Sequence, residues 1–300
     1  NGSANCVMVI ADISRLYTMP DGRRFLLPLV RRTGYPTWLT SVASLPASWG
    51  MGGTIGDSPL LIEDLRLIVE DLAQLPYLQI RIRPNPRLGT LWDEAVPPSL
   101  TRINRVSHVL DLSGGFDHVW SKAFSSNARN QVRKAERVGV VVEHDNTGRL
   151  IPVFYQLLQL SFDRWAAKQN EPRILTRLRG ATRDPLEKFR QIGIHLGEAC
   201  HVWAAWINGV PAAAMIVLQY GNANDSRGAM DRDVVGSSGA NSLLQKLAIE
   251  AACRAGCRFY HLGETGNSKS LAHFKASFGA VAVPYHEYNF ERLPITRVDQ

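Results

Sequence analysis

The stretch GANSLLQKLAIEAACRAGCRFYHLGE, residues 239–264, decides the fold class. It opens on a glycine loop, and leucines and alanines at helical spacing then predict a helix over Asn241–Ala255 that Gly256 ends. The apolar segment Cys257–Leu262 predicts a strand directly after that helix. A loop, a helix and a strand in this succession are typical of an α/β protein.

The second half of the chain extends this pattern in both directions. Two helices, Leu150–Lys168 and Pro185–Glu198, are predicted on either side of a polar linker at 169–184. Three strands then precede the glycine loop, and a helix and a strand follow residue 264. The predicted segments are His201–Ile207, Val210–Tyr220, Ser226–Asp231, Ser268–Phe278 and Val281–Phe290.

The first half has the same succession. Strands are predicted at Cys6–Ile13, Phe25–Val30 and Thr37–Val42, and the glycine loop GMGGTIG (50–56) then leads to a helix that ends near residue 75. Leu78–Arg83 predicts the strand after that helix. We therefore predict an internal duplication, with domains at 1–137 and 138–300. A long helix at Phe116–Glu136 closes the first domain.

Composition limits the protein classes. Apolar residues make up 45% of the 300 residues and charged residues 20%, which excludes wholesale disorder. No apolar run approaches the ~20 residues of a membrane span, and the N-terminus carries no secretory pattern, so a cytoplasmic protein without integral membrane contact is expected. Cys253 and Cys257 lack a second Cys/His pair at zinc-binding spacing, so no metal site is predicted.

The charge balance favours an anionic partner. Lys and Arg total 34 against 27 Asp and Glu, which leaves a net charge of +7. Arg129, Arg133 and Arg137 are spaced four apart and share one face of the predicted helix. That face is either a solvated surface or a ridge that contacts the phosphates of a nucleic acid.

Several stretches resemble a known family. They are SSNARNQVRKAERVGV (125–140), RGAMD (227–231), the opening stretch at 239–264, and SLAHFKASFGA (270–280). With the order of elements, they are similar to the FemABX-like branch of the GNAT acyltransferases, which contains the peptidoglycan bridge-forming aminoacyltransferases. The resemblance implies an α/β fold of two tandem GNAT-like domains, each with a central mixed sheet flanked by helices, the first of them degenerate.

The resemblance also implies amide formation. The expected reaction moves an aminoacyl group from aminoacyl-tRNA to an amine on a small molecule or peptide, without a permanently bound cofactor. An acyl-CoA-dependent N-acyltransferase is the alternative with the same chemistry, and a non-catalytic RNA- or ligand-binding module is the alternative from another class. The loop departs from the usual coenzyme A pattern, because Gly236 and Gly239 are three apart and Asp233 stands three before Gly236.

The amine must lose a proton to attack, so a general base is needed. Glu264 and His261 lie at the end of the predicted strand 257–262, where an α/β site is expected, and Asp231 ends the RGAMD stretch. These three are the candidate bases. A solvent-facing carboxylate at Glu264 and a core histidine at His261 remain the alternatives.

The donor needs groups that hold negative charge. Lys275 resembles the Phe-Lys element of the family, which implies a contact to a phosphate or to the oxyanion. Its alternative is a lysine that extends to the surface. Arg227 is a second candidate for the donor phosphates, and an ion pair with Asp231 or Asp225 is its alternative. The loop residues Gly236, Ser237, Ser238, Gly239 and Asn241 are candidates for the donor, or form only a turn and an N-cap.

Overall fold

The computed structural model describes residues 10–45, 50–168 and 172–296. The chain divides into two compact units. The first contains the described residues up to Val106 and those from Val283 onward, and the second contains Ser107–Ala282. The predicted division after residue 137 falls inside the second unit, because the strand that ends at Asp111 pairs there and the last strand of the chain pairs in the first unit.

The first unit contains two sheets and two α-helices. Its mixed sheet has the order β1-β4-β5-β7-β14, in which β5 and β7 are parallel. The strands of that sheet are β1 (Ile10–Asp12), β4 (Val30–Arg32), β5 (Ser41–Ala43), β7 (Gln79–Ile82) and β14 (Val281–Glu291). The smaller antiparallel sheet contains β2 (Arg15–Thr18), β3 (Arg24–Leu27) and β6 (Ile55–Gly56). The helices are α1 (Ile62–Gln74) and α2 (Gly89–Ala95).

The core of the first unit forms around the predicted apolar stripe of α1. Leu65, Ile68 and Leu72 are buried there against strand residues and the Trp92 ring. The predicted strand at Thr37–Val42 is instead a 3-10 turn followed by β5. Of the predicted strand Cys6–Ile13, the part before Ile10 lies outside the described residues.

The second unit is built on a mixed sheet of the order β8-β13-β12-β11-β10-β9. Its strands are β8 (Thr101–Asp111), β9 (Val141–Asp145), β10 (Cys200–Ile207), β11 (Val210–Tyr220), β12 (Asn222–Met230) and β13 (Phe259–Glu264). In β8, the residues from Ser107 onward pair with β13. Within this set, β12 and β13 are parallel and the other neighbours are antiparallel.

Helices cover both faces of this sheet. They are α3 (Gly115–His118), α4 (Ser126–Arg137), α5 (Ile151–Lys168), α6 (Arg173–Arg183), α7 (Leu186–Leu196), α8 (Arg232–Val235), α9 (Ala240–Arg254) and α10 (Lys269–Ser277). Because side chains alternate along a strand, β11 contributes to two cores. Met215 and Val217 pack with α4 and α9 residues, and Ala214 and Ile216 pack with α5 and α7 residues.

Three predicted elements of the second unit differ from the structure. The helix at Phe116–Glu136 breaks at Phe124, because the Ser125 hydroxyl accepts the Ala128 N–H at 3.1 Å and caps α4. The polar linker at 169–184 contains α6. The strand at Ser226–Asp231 begins at Asn222, and Asp231 caps α8. In the described part of the chain, no helix combines the length and apolar character that a bilayer span requires.

Candidate active site

The parallel strands β12 and β13 pair only where they begin. Their ladder contains the residue pairs Ala223–Tyr260 and Asn224–His261. Beyond those pairs β12 continues to Met230 and β13 to Glu264. The ladder therefore ends well before the carboxyl ends of the two strands, and we call the region between these unpaired strand ends the cleft. A ligand that lies between two such strand ends can bind their backbone groups as an added strand does.

A bulge in β12 sends two charged side chains to opposite faces of the sheet. Val217 pairs with Asp225 and Ile216 pairs with Arg227, so Ser226 is the extra residue. Asp225 therefore shares the face of Val217, which packs against α9 and α4, and Arg227 shares the opposite face. The bulge lies directly after the last β12 residue that pairs with β13.

Arg227 binds a buried carboxylate. Its guanidinium donates to Asp184 Oδ2 at 2.5 Å, and Lys188 Nζ lies 2.9 Å from Asp184 Oδ1. Arg183 Nε donates to Oδ2 at 3.0 Å. Asp184 is fully buried just before α7. The expected alternative of an ion pair is correct in kind, and the partner that the structure shows is Asp184. This contact holds the half of β12 that does not pair with β13.

Lys275 extends from α10 into the end of β13. Its ammonium donates to the backbone carbonyls of Gly263 at 3.0 Å and Glu264 at 2.8 Å. The residue is only 6% exposed, so the alternative of a lysine extending to the surface is wrong. Burial lowers the pKa of Lys275 to about 8, and the carboxylates of Asp225 and Glu264 oppose that shift.

Asp225 is a further ionisable group beside the cleft, and it is not among the predicted site residues. Burial raises its pKa to about 7, and the nearby Lys275 opposes this shift. His108 of β8 lies opposite Gly263 and is also buried. Burial, and then the charge of Lys275, lower the pKa of His108. A charged residue inside the central strand sequence NANDSRGAM was the available signal for Asp225.

The three predicted bases occupy different environments. His261 is buried on β13, opposite Asn224 and Val109. Glu264 is partly exposed at the end of β13, and its backbone carbonyl accepts from Lys275. The Asp231 carboxylate accepts the N–H groups of Asp233 at 2.9 Å and Val234 at 3.3 Å, so it serves as the N-cap of α8.

The predicted glycine loop lies between α8 and α9, and its polar side chains make local contacts. Ser237 Oγ accepts from Lys134 Nζ at 3.1 Å, and Ser238 Oγ accepts the Ala240 N–H at 3.2 Å. Asn241 Nδ2 lies 3.1 Å from the Met230 sulfur. Gly236 ends α8 with a φ of +46°.

Gly239 has a steric role. Its φ of +81° is in the left-handed region, and a methyl group on it would overlap the Gln131 carbonyl oxygen of α4. This glycine therefore allows the start of α9 to approach the backbone of α4 closely.

The predicted arginine face divides into two parts. Arg133 and Arg137 are exposed and, with Asn130 and Glu136, line an open cavity of about 520 Å³ on α4. The Arg129 guanidinium instead donates to the carbonyls of three residues before α4, namely Trp120, Ser121 and Phe124. Arg129 therefore stabilises the break between the π-helical turn Val119–Ala123 and α4.

Comparison with known proteins agrees with this geometry. The family model described as "Acetyltransferase (GNAT) domain" matches residues 122–276, from the π-helical turn before α4 into α10. The chain belongs to this family. The matched range contains β12, the glycine loop, α9, β13 and Lys275, so the cleft lies within the acyltransferase domain. The chain is therefore a GNAT acyltransferase.

Solved structures show the same fold at low sequence identity. A structure described as FemX has a TM-score of 0.63 at 12% identity, covering 94% of this chain and 88% of its own. The C-terminal domain of a putative lysylphosphatidylglycerol synthetase from Agrobacterium fabrum has a TM-score of 0.54 at 14% identity, covering 92% and 84%. A Bacteroides thetaiotaomicron protein of unknown function has a TM-score of 0.55 at 14% identity, with coverage of 92% and 84%. No curated protein matches the sequence of this chain. The fold is that of the FemABX-like GNAT proteins, with two tandem GNAT-like domains.

Proposed function

We propose that this protein transfers an aminoacyl group from aminoacyl-tRNA to an amine and forms an amide in the cleft between β12 and β13. We place the reaction there because the ladder between these strands ends at Asn224 and His261, next to Asp225 and to the strand end that Lys275 binds. An extended acyl group can bind such strand edges as an additional strand does. The acceptor is an amine on a small molecule or a peptide.

The glycine loop supports the choice of donor. A pyrophosphate cradle needs several neighbouring N–H groups that point at the anion. Here the N–H groups of Val235, Gly236 and Ser238 donate to carbonyl oxygens of α8 and its cap. The Ala240 N–H is bound to the Ser238 hydroxyl. These internal bonds disfavour coenzyme A as the donor and favour a donor that is held elsewhere.

The basic surface of α4 supports the same choice. Lys134 binds Ser237 at 3.1 Å, so α4 lies beside the loop that opens α9. The exposed guanidinium groups of Arg133 and Arg137 lie on that helix. A phosphate backbone can follow this surface while its aminoacylated 3′ end reaches the cleft. Such contacts are electrostatic, so the affinity must fall steeply as the salt concentration rises.

Lys275 fits the stabilisation of the oxyanion. An ammonium has three N–H donors, and two of those of Lys275 bind the Gly263 and Glu264 carbonyls. We assign the third to the oxygen that becomes negative when the amine attacks the ester carbonyl. The C–N bond then forms, the ester C–O bond breaks, and the ribose oxygen leaves with a proton.

An acyl-CoA-dependent N-acyltransferase is the second candidate. The family model that matches 122–276 describes an acetyltransferase domain, and Gly236 and Ser237 of the loop are exposed. In that case the bond that breaks is a thioester and the donor phosphates lie at the N-terminus of α9.

Binding of purified protein to bulk tRNA charged with radiolabelled amino acids, and to acetyl-CoA, distinguishes the candidates. Measurements at low and moderate salt concentrations give the salt dependence. We expect submicromolar, salt-sensitive binding of charged tRNA and no saturable binding of acetyl-CoA. Saturable acetyl-CoA binding without tRNA binding would reject the aminoacyl-tRNA donor.

A further inference from the structure

We infer that Asp225 is the general base of the cleft, taking the proton from the acceptor amine, and that Lys275 sets the charge state of Asp225. The inference rests on the proposed acyl transfer to an amine and is independent of which donor supplies the acyl group. Neither the sequence resemblance nor the family match assigns a role to Asp225.

The position of Asp225 carries the inference. It is the first residue of β12 after the last pair with β13, so it stands where the cleft opens. The cleft is narrow at this level. A methyl group on Gly263 of β13 would lie 3.8 Å from the Asp225 carbonyl oxygen and 3.9 Å from Lys275 Nζ. The two strands and the lysine ammonium therefore meet at one point.

The surroundings of Asp225 favour proton transfer near neutral pH. The charged or titratable groups that act on it or lie beside its partner are Lys275 of α10, Tyr260 and Glu264 of β13, and His108 of β8. Burial holds the pKa of Asp225 at about 7, far above an ordinary carboxyl. A base with a pKa near the working pH accepts and returns a proton efficiently.

The other carboxylates are less suited to this step. Asp231 already accepts two backbone N–H groups as the cap of α8. Glu264 follows the φ +73° turn at Gly263 at the end of its strand, beyond the residues of β13 that pair with β12. His108 lies on β8, on the far side of β13 from β12.

The proton balance of the step is complete. The neutral amine attacks the acyl carbon and forms the C–N bond, and its nitrogen becomes positively charged. The Asp225 carboxylate takes one proton from that nitrogen. As the C–O bond of the ester, or the C–S bond of a thioester, breaks, Asp225 returns the proton to the leaving atom. No oxidant, metal ion or further reactant is needed.

The charge of Lys275 should lower the pKa of Asp225. Its positive charge favours the ionised form of Asp225 and so opposes the effect of burial. The substitution Lys275→Met removes that charge while keeping the length of the side chain. The pKa of Asp225 should then rise above 7, and the carboxyl should be largely protonated at neutral pH. A purely structural lysine would not move this titration.

The test combines carboxyl-carbon NMR of protein labelled at aspartate with single-turnover rates between pH 5.5 and 8.5. The Asp225→Asn variant assigns the resonance by its absence. Asp117→Asn, which changes an exposed carboxylate of α3, is the matched control. Rates are measured with charged tRNA and with acetyl-CoA, whichever the wild-type protein uses. Binding of the same donor is measured for each variant, and it reports on the fold.

We expect the Asp225 resonance to titrate near pH 7 and the wild-type rate to rise through the same midpoint. Asp225→Asn should lower the rate about 10²–10⁴-fold with unchanged donor binding, and Lys275→Met should move the resonance midpoint to higher pH. An Asp225 midpoint near 4, an unmoved midpoint in Lys275→Met, or an unchanged rate in Asp225→Asn overturns the inference. If the wild-type protein uses acetyl-CoA and not charged tRNA, the proposed donor fails and the inference stands.

Discussion

Each unit contains strands, a glycine-containing loop, a helix and a further strand in that order, and the parallel strand pairs of the two units differ. In the first unit, β5 and β7 pair along all of β5, and the bonds continue past its end from Ser44 N–H to the Arg81 carbonyl at 2.9 Å. In the second unit, the ladder between β12 and β13 ends after Asn224. We call the β5–β7 pair the closed pair, because its bonds run past the end of β5, and the β12–β13 pair the open pair, because its ladder stops after Asn224.

The loop after the closed pair explains part of the difference. Gly52 donates its N–H to the Arg83 carbonyl at 2.8 Å, and a methyl group on Gly52 would lie 2.5 Å from Ser44 Oγ. The glycine loop of the first unit therefore packs onto the ends of its strands. The loop of the second unit packs instead against α4 through Gly239. The glycine loop of the first unit thus covers the ends of its parallel strand pair, and the loop of the second unit does not bind its strand ends in this way.

The largest expected effect is on the free energy of unfolding, and it concerns the ion pairs that hold β12. The unpaired half of β12 is attached through Arg227 to the buried Asp184, which also contacts Lys188 and Arg183. Asp184→Ala leaves buried cations without their carboxylate and should lower the free energy of unfolding by about 3–5 kcal/mol. Urea denaturation checks this. Glu143→Ala, which removes an exposed ion pair with Arg149, should change it by less than about 1 kcal/mol. Equal effects would show that Asp184 does not anchor β12.

The two glycine loops can be compared by matched substitutions. Gly239→Ala strains a positive φ and overlaps the backbone of Gln131, so it should lower the free energy of unfolding by roughly 2–4 kcal/mol and weaken donor binding. Gly52→Ala should also destabilise the protein, because the new methyl group meets Ser44. Donor binding by Gly52→Ala should remain at the wild-type level at a temperature where the protein is folded. Loss of donor binding in both variants would contradict a closed first unit.

The ionised carboxylate of Asp225 should lower the free energy of unfolding. The pKa of Asp225 is raised in the folded protein, so its ionisation destabilises the fold, fully above pH 7 and not at all below the unfolded pKa near 3.8. Asp225→Asn should therefore raise the free energy of unfolding at pH 8 by on the order of 1–3 kcal/mol. The gain should vanish as the pH falls to about 4. Denaturation at the two pH values measures this, and a variant destabilised at pH 8 would contradict the proposed burial of charge.

The smallest expected effect is on the affinity for charged tRNA, and it concerns the exposed arginines of α4 in the second unit. Arg133→Ala and Arg137→Ala should each weaken binding of charged tRNA a few-fold and reduce the slope of log K against log salt by about 1. Arg190→Ala, an exposed arginine of α7, is the control and should change neither value. Filter binding at several salt concentrations provides the measurement. Equal slopes for all three variants would exclude α4 as the tRNA surface.

The order of elements in the second unit could be predicted because it depends on local signals. Helical spacing, glycines at helix ends and β-branched strands determine the segments 201–220 and 239–264. Lys275, Glu264 and His261 could be selected for the same reason, since each lies at the end of a recognisable element. α6 was missed because its arginine-rich sequence resembles a linker in composition.

The parts that could not be predicted depend on contacts between distant residues. The selection of Asp225 requires the bulge at Ser226 and the early end of the β12–β13 ladder, which no local pattern reports. The partner of Arg227 is Asp184, 43 residues away, brought there by the packing of α7. The structural use of Arg129 follows from the helix break at Phe124, which an uninterrupted helical pattern conceals.

Hydrogen exchange with and without bound charged tRNA tests the central claim most directly, namely that the open strand pair of the second unit is the transfer site. We predict slower exchange at residues 225–230 and 261–266 when the donor is bound. The peptides that cover residues 40–44 and 79–83 of the closed pair should exchange as before. Protection of the closed pair, or donor binding without protection of β12 and β13, would contradict the account.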